Sequence, residues 1–202
     1  MAFKYLPSAI ILAAGKSERM GMPKFALKFN RHRTFLEEIV GQFDSFGCKE
    51  IIVVMNKEGR KLIDEMEIKL PENVIIANNP YPELGRFSSI KTGLGFLRNT
   101  DSLFLHNVDN PFVNRNVLRR LFNNDSKSDY YVPVHENRGG HPILLTGKVV
   151  NEIRKCPNVD FSLKEYLKAY RKTVVEVDDP GIFININSPE DYVKAIGTSN
   201  SY

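Results

Sequence analysis

Lys16, Arg19 and Lys24 follow closely on a strand-like apolar run in the stretch SAIILAAGKSERMGMPKFAL, residues 8 to 27. Cations at that density suit a polyphosphate, whose charge they offset. The small residues just before them, Ala13, Ala14 and Gly15, let backbone amides approach a nucleotide closely. Gly15-Lys16-Ser17 would also close a P-loop, but that motif needs a glycine five residues before Gly15. Ile10 stands there, inside the strand, so the Walker reading fails. On the tripeptide alone, a strand-to-helix turn with a solvated basic loop is the better explanation. The basic excess nevertheless continues through Lys28, Arg31 and Arg33 and is opposed only by Glu18.

Other polar residues of chemical interest are spread along the chain. Asp109 ends the strand-like part of LFLHNVDNPFV, where a lone aspartate is more often a turn former or helix cap than a ligand. Asn185 and Asn187 in FININSPEDY are two residues apart, so on an extended chain they share a face. His141 in NRGGHPILL could orient a phosphate or relay a proton. With no second histidine or acid visible nearby in sequence, a structural role is equally open to it. His32, His106 and His135 have weaker claims, and Asn56 and Asn79 are further candidates for nucleotide contact.

The elements that must position these residues are short β-rich runs: 9 to 13, 51 to 55, 74 to 77, 102 to 106, 130 to 134, 143 to 145 and 173 to 177. Continuous apolar strands mean a sheet covered on both faces. Thr34 with Glu37 forms a capping-box pattern for a helix that Gly47 closes, with Phe35, Ile39, Phe43 and Phe46 on its buried face. Ser188-Pro189-Glu190-Asp191 offers an N-cap, a first-turn proline and two acids. The alternation predicts a single α/β domain over residues 1 to 202, a three-layer α/β/α sandwich with a mainly parallel sheet. Ligands in such folds sit at the carboxyl ends of strands, here in segments 14 to 28, 78 to 89 and 107 to 114. The tail from Gly197 to Tyr202 is small and polar, as in a frayed terminus.

The 202 residues suffice for a full core. No apolar run approaches the roughly 20 residues that span a bilayer, and the start, Met1 to Pro7, lacks the pattern of a signal peptide. A cytoplasmic protein without a membrane partner is expected. Cys48 and Cys156 have no zinc-like spacing and read as reduced packing residues. The net charge of +4 is not gathered into a tract or helical stripe, so a small anionic substrate accounts for it as well as nucleic acid does.

The string LAAGKSERMGMPKFAL resembles the Leu-Ala-Ala-Gly-x-Ser-x-Arg-Met-Gly-x-Pro-Lys signature of molybdenum cofactor cytidylyltransferase and guanylyltransferase-like nucleotidyltransferases, with every fixed position present. GRFSSIKTGL is similar to their Gly-Met-Ser-Ser-Ser-Leu-x-x-Gly-Leu element, LFLHNVDNPFV to Gly-Asp-x-Pro, NRGGHPILL to Arg-Gly-His-Pro, and FININSPEDY to the closing Asp/Asn-x-Asp/Asn-Thr-Pro-Glu-Asp. The five motifs follow the family's order from about residue 8 to 193. The resemblance implies the Rossmann-like fold of nucleotide-diphospho-sugar transferases, with a mixed sheet. It implies that Leu12, Ala13, Ala14 and Gly15 line the nucleotide, Ser89 contacts the base, and Arg19 and Lys24 hold the triphosphate. Asp109, with Asn185 or Asn187, would bind Mg2+, Asn185 being the choice, and His141 would lie near the acceptor. Asn107 and Val108 depart from the glycine that relatives carry before the aspartate.

The activity so implied is transfer of a nucleoside monophosphate onto a phosphorylated acceptor. Ala-Ala-Gly, where guanylyl relatives show Ala-Gly-Gly, tilts the base towards CTP. The acceptor would be molybdopterin, with molybdoenzyme-maturation proteins as partners; isoprenoid-precursor and sugar-phosphate transferases share the opening motif. A nucleotide-binding accessory protein without turnover is the alternative from another class. A nucleic-acid module rests on the charge alone.

Overall fold

The computed structural model describes residues 6–98, 101–157 and 162–197. The start of the chain before Leu6 and the end after Gly197, which carry the signal-peptide and frayed-tail readings, lie largely outside the described residues. Eight strands form one mixed sheet: β1 Ser8–Leu12, β2 Ile51–Met55, β3 Val74–Asn78, β4 Ser102–Asn107, β5 Tyr130–His135, β6 Arg138–Gly139, β7 Ile143–Thr146 and β8 Lys172–Glu176. Their order is β3-β2-β1-β4-β7-β5-β6, with β8 paired to β5. The first four strands in that order run parallel, β7 is antiparallel to β4 and β5, and β8 is parallel to β5.

Helices cover both faces, as the unbroken apolar strands require. Along β1, Ala9 and Ile11 face one core with Leu36, Ile39, Val40 and Phe43 of α1 (Phe35–Phe46) and Val117, Leu118 and Leu121 of α4 (Arg115–Phe122). The alternate residues Ile10 and Leu12 face a second core with Phe87, Ile90 and Leu94 of α3 (Arg86–Phe96) and Val149, Val150 and Ile153 of α5 (Gly147–Lys155). The period-2 geometry of a strand thus divides one run between two layers. Each large side chain fully buried this way contributes about 1.5–3 kcal/mol.

Local chemistry sets the helix ends. Thr34 Oγ1 accepts from Glu37 N–H, and Glu37 Oε2 accepts from Thr34 N–H at 2.7 Å. Gly47 ends α1 at φ 99°, a conformation that favours glycine. Asn56 caps α2 (Lys57–Glu65), and Ser188 with Asp191 closes a capping box on α7 (Pro189–Tyr192). α6 is Leu163–Tyr166. Gly93 lets α3 lie against the sheet, since a Cβ there would meet Val54 Cγ2 at 2.9 Å and Ile10 Cδ1 at 3.0 Å. No helix of the described residues is long and apolar enough to cross a membrane. Cys48 is buried and Cys156 is half-buried.

Candidate active site

Four chain segments meet in a cavity of about 450 Å3 at the carboxyl ends of β1 and β4. The first begins where β1 stops. Ala13 N–H donates to Val54 O at 2.7 Å, and Val108 N–H donates to Leu12 O at 3.1 Å. Asn56 Nδ2 donates to Ala14 O at 3.3 Å while its Oδ1 accepts from Gly59 N–H at 2.7 Å. Asn56 therefore braces the loop after β1 from behind. The loop turns through Ser17 and Gly21, both left-handed, and Ser17 Oγ accepts from Lys24 N–H at 3.2 Å. This returns Lys24 to the mouth of the cavity.

Lys24 Nζ donates to Asn187 Oδ1 at 2.7 Å and lies 3.8 Å from Asp109 Oδ2. Burial holds the Lys24 ammonium below its ordinary pKa; the Asp109 carboxylate opposes this and Arg19 adds to it. Asp109 is fixed by its own backbone, whose carbonyl accepts from Ile186 N–H at 2.7 Å. Its Oδ1 is buried without a protein partner among the described residues. An orphaned carboxylate oxygen beside an amide oxygen is a donor set of the hard kind that a divalent cation takes. The described residues contain no cluster of three or more His, Cys, Asp or Glu side chains for a metal.

Of the residues expected from sequence, Leu12, Ala14, Gly15, Arg19, Lys24, Ser89 and Asp109 line the cavity. Three expected residues do not. Ala13 is buried in the core on the α1 side of the sheet. Asn185 is exposed, and Asn187 takes the position beside Lys24 and Asp109. The face that two such residues share on an extended chain is lost because Asn187 is drawn into the start of α7, where its N–H donates to Asp191 Oδ2 at 2.9 Å. His141 lies behind Asn107, whose Nδ2 bonds His141 Nε2 at 2.9 Å, and it is Asn107 that reaches the cavity.

The reading of His141 as isolated is also corrected. His106 packs edge-on against it, ring centroids 6.1 Å apart at 86°. His106 is fully buried, its Nε2 bonded to Asn110 O at 2.7 Å, and burial followed by the His141 charge lowers its pKa to about 3. Burial, then Arg86, lowers that of His141 to about 4, with Asp109 opposing. Both imidazoles are thus neutral at pH 7. Nor does Ser88 or Ser89 start a helix: Gly85 occupies the N-cap of α3, and both serines lie within its first turns. Arg86, Asn107 and Lys16 also line the cavity. Arg86 and Asn107 were not singled out from sequence as ligands, although both stand inside the motifs quoted above.

A model of the MobA-like NTP transferase domain matches residues 9–174. Molybdenum cofactor cytidylyltransferase of Escherichia coli (strain K12) is 28% identical over 188 residues, spanning 92% of this chain and 93% of that protein. A probable molybdenum cofactor guanylyltransferase of Methanosarcina mazei is 29% identical over 202 residues, spanning 94% of this chain and 90% of that one. In fold, the chain is similar to Rv0371c from Mycobacterium tuberculosis H37Rv, with TM-score 0.78 at 19% identity over 96% of this chain and 99% of that one. The structure of Rv0371C in complex with manganese is similar too, with TM-score 0.75 at 17% identity over 98% and 100%. With the family model covering residues 9–174, the chain belongs to the MobA-like NTP transferases and is a nucleotidyltransferase.

Proposed function

We propose that this nucleotidyltransferase moves CMP from CTP onto a phosphorylated acceptor of the molybdopterin kind, releasing pyrophosphate. The convergence of Lys24, Asn187 and Asp109 on one cavity carries this reading, and the cofactor transferases named among the relatives support the acceptor class. Ala14, at the position where guanylyl relatives show glycine, favours CTP. The guanylyltransferase names among the relatives keep GTP as the second reading.

An acceptor phosphate oxygen attacks the α-phosphorus and the bond to the bridging oxygen breaks, so that pyrophosphate leaves with the added charge. A phosphate monoester is already ionised at neutral pH, so no side chain need remove a proton. The chain's task is alignment and charge stabilisation. Lys24 and Arg19 present positive charge to the triphosphate, and Lys24 stands where the leaving pyrophosphate gathers charge. The cavity's small residues at 14 and 15 let backbone groups reach the base and ribose. His141, held neutral, anchors Asn107 in the wall rather than acting as a cation. A divalent ion, Mg2+ or Mn2+, held by Asp109 with Asn187, would neutralise phosphate charge when bound.

Pyrophosphate release tests the reading, with CTP and GTP each offered to molybdopterin. Release with CTP is expected to exceed that with GTP and to fall at least a hundredfold in Asp109→Ala. Release unchanged by that substitution would refute the site. Nucleotide binding without any release would favour an accessory protein that has lost turnover.

A further inference from the structure

At Ser89 the cavity is lined by one of a pair of buried polar side chains, Asn79 and Ser89, that are joined by a hydrogen bond. Asn79 is 1% exposed and Ser89 is 5% exposed. Asn79 N–H donates to Met55 O at 2.7 Å at the end of β2, which anchors the residue. Its Oδ1 accepts from Tyr81 N–H at 2.9 Å, and a backbone N–H can only donate. The amide is thereby oriented, so that Nδ2, a donor, faces Ser89 Oγ at 2.9 Å. The Ser89 oxygen must accept there, and its own proton points elsewhere. No protein acceptor for that proton is found among the described residues, while Ser89 lines the cavity.

We propose that Asn79 is a positioning residue that turns the Ser89 proton towards the nucleobase, so that the pocket favours bases presenting a carbonyl oxygen. This rests on the reading that Ser89 meets the base. Cytosine and guanine both carry such an oxygen, whereas the acceptors of adenine are ring nitrogens and its exocyclic group is an amino donor. A buried donor left without its acceptor is the ordinary origin of polar selectivity in binding sites. Asn79→Asp reverses the arrangement with almost no change of shape: a carboxylate accepts from both Tyr81 N–H and Ser89 O–H, turning the serine proton away from the base. Asn79→Ala leaves the serine free to donate again.

Titration calorimetry of the full chain with the magnesium complexes of CTP, GTP and ATP tests this. Wild type is expected to bind CTP or GTP about tenfold more tightly than ATP. Ser89→Ala and Asn79→Asp should each abolish that ratio, and the double variant should be no worse than either single. Asn79→Ala should stay within about threefold of wild type and have no effect when Ser89 is already alanine. Damage of a merely structural kind would weaken all three nucleotides alike and leave the ratio intact, which would overturn the proposal. Unchanged selectivity in Asn79→Asp beside lost selectivity in Ser89→Ala overturns the role of Asn79 alone. Unchanged selectivity in Ser89→Ala overturns the base contact as well. Should Asn79→Asp fail to fold, the Asn79→Ala and Ser89→Ala cycle decides, and additive losses overturn the coupling.

Discussion

Acid should weaken this fold through two buried imidazoles, His106 and His141. The folded pKa values are about 3 for His106 and about 4 for His141, against 6.5 in an unfolded chain. Both are depressed, chiefly by burial, so below pH 6.5 the unfolded state binds more protons than the folded one. Stability is then fully present above pH 6.5 and is lost as pH falls towards 4. At pH 5 each residue accounts for about 2 kcal/mol of lost stability and the pair for about 4 kcal/mol. With a urea dependence of roughly 2 kcal/mol per molar, the unfolding midpoint should drop by about 2 M between pH 8 and pH 5. Asp129, whose carboxyl is held low mainly by the Arg171 N–H, titrates beneath this window. His106→Gln keeps a donor for Asn110 O and removes one titrating group, so the drop should be halved. Equal midpoints at the two pH values, or an undiminished drop in His106→Gln, would refute the reasoning.

Lys24→Met should lower the rate of pyrophosphate release about 10²- to 10³-fold, since the proposed mechanism aims this charge at the leaving group. By freeing Asn187 Oδ1 and Asp109, it should also leave Mn2+ binding in the absence of nucleotide undiminished, as read by electron paramagnetic resonance. Thr34→Ala should cost about 1 kcal/mol in urea unfolding through loss of the α1 cap, with nucleotide affinity unchanged. Gly140→Ala should cost more, about 1–3 kcal/mol, because its methyl collides with the Ile182 carbonyl that also accepts from His141 N–H at 2.7 Å. Loss of the His141 bond to Asn107 in that variant is checked by the imidazole nitrogen resonances.

Features set by neighbours in sequence were legible. The capping box of α1 depends on Thr34 and Glu37 alone, and the loop from Ala14 to Lys24 carries its cavity-lining cations in one contiguous piece. Strand direction is another matter. The run Ile143–Thr146 is apolar whichever way it points, so its antiparallel place between β4 and β5 comes from tertiary pairing. Contacts across long separations were equally hidden. Lys24 and Asn187 are 163 residues apart, and choosing Asn187 over Asn185 depends on how the chain turns into α7. The His106 and His141 pair forms because β4 and the start of β7 lie side by side, a juxtaposition no local pattern encodes.

The sheet order explains why the cavity lies where it does. From β1 the chain winds outward through β2 to β3, then crosses back to lay β4 on the other side of β1. Its helices change face at the same point, α1 lying in one core and α3 in the other. The connections leaving β1 and β4 therefore diverge, and a crevice opens between their carboxyl ends. Loop 13–24 supplies the cations from one side of that crevice and Asp109 supplies the carboxylate from the other. The third side is closed by Asn187, arriving after the last strand, and the three meet at Lys24 Nζ. Fold and chemistry are separable on this account. Substitutions at Lys24, Asp109 or Asn187 alter the charge in the crevice, whereas substitutions at Gly93 or Gly140, where helix and loop press on the sheet, alter whether the crevice forms.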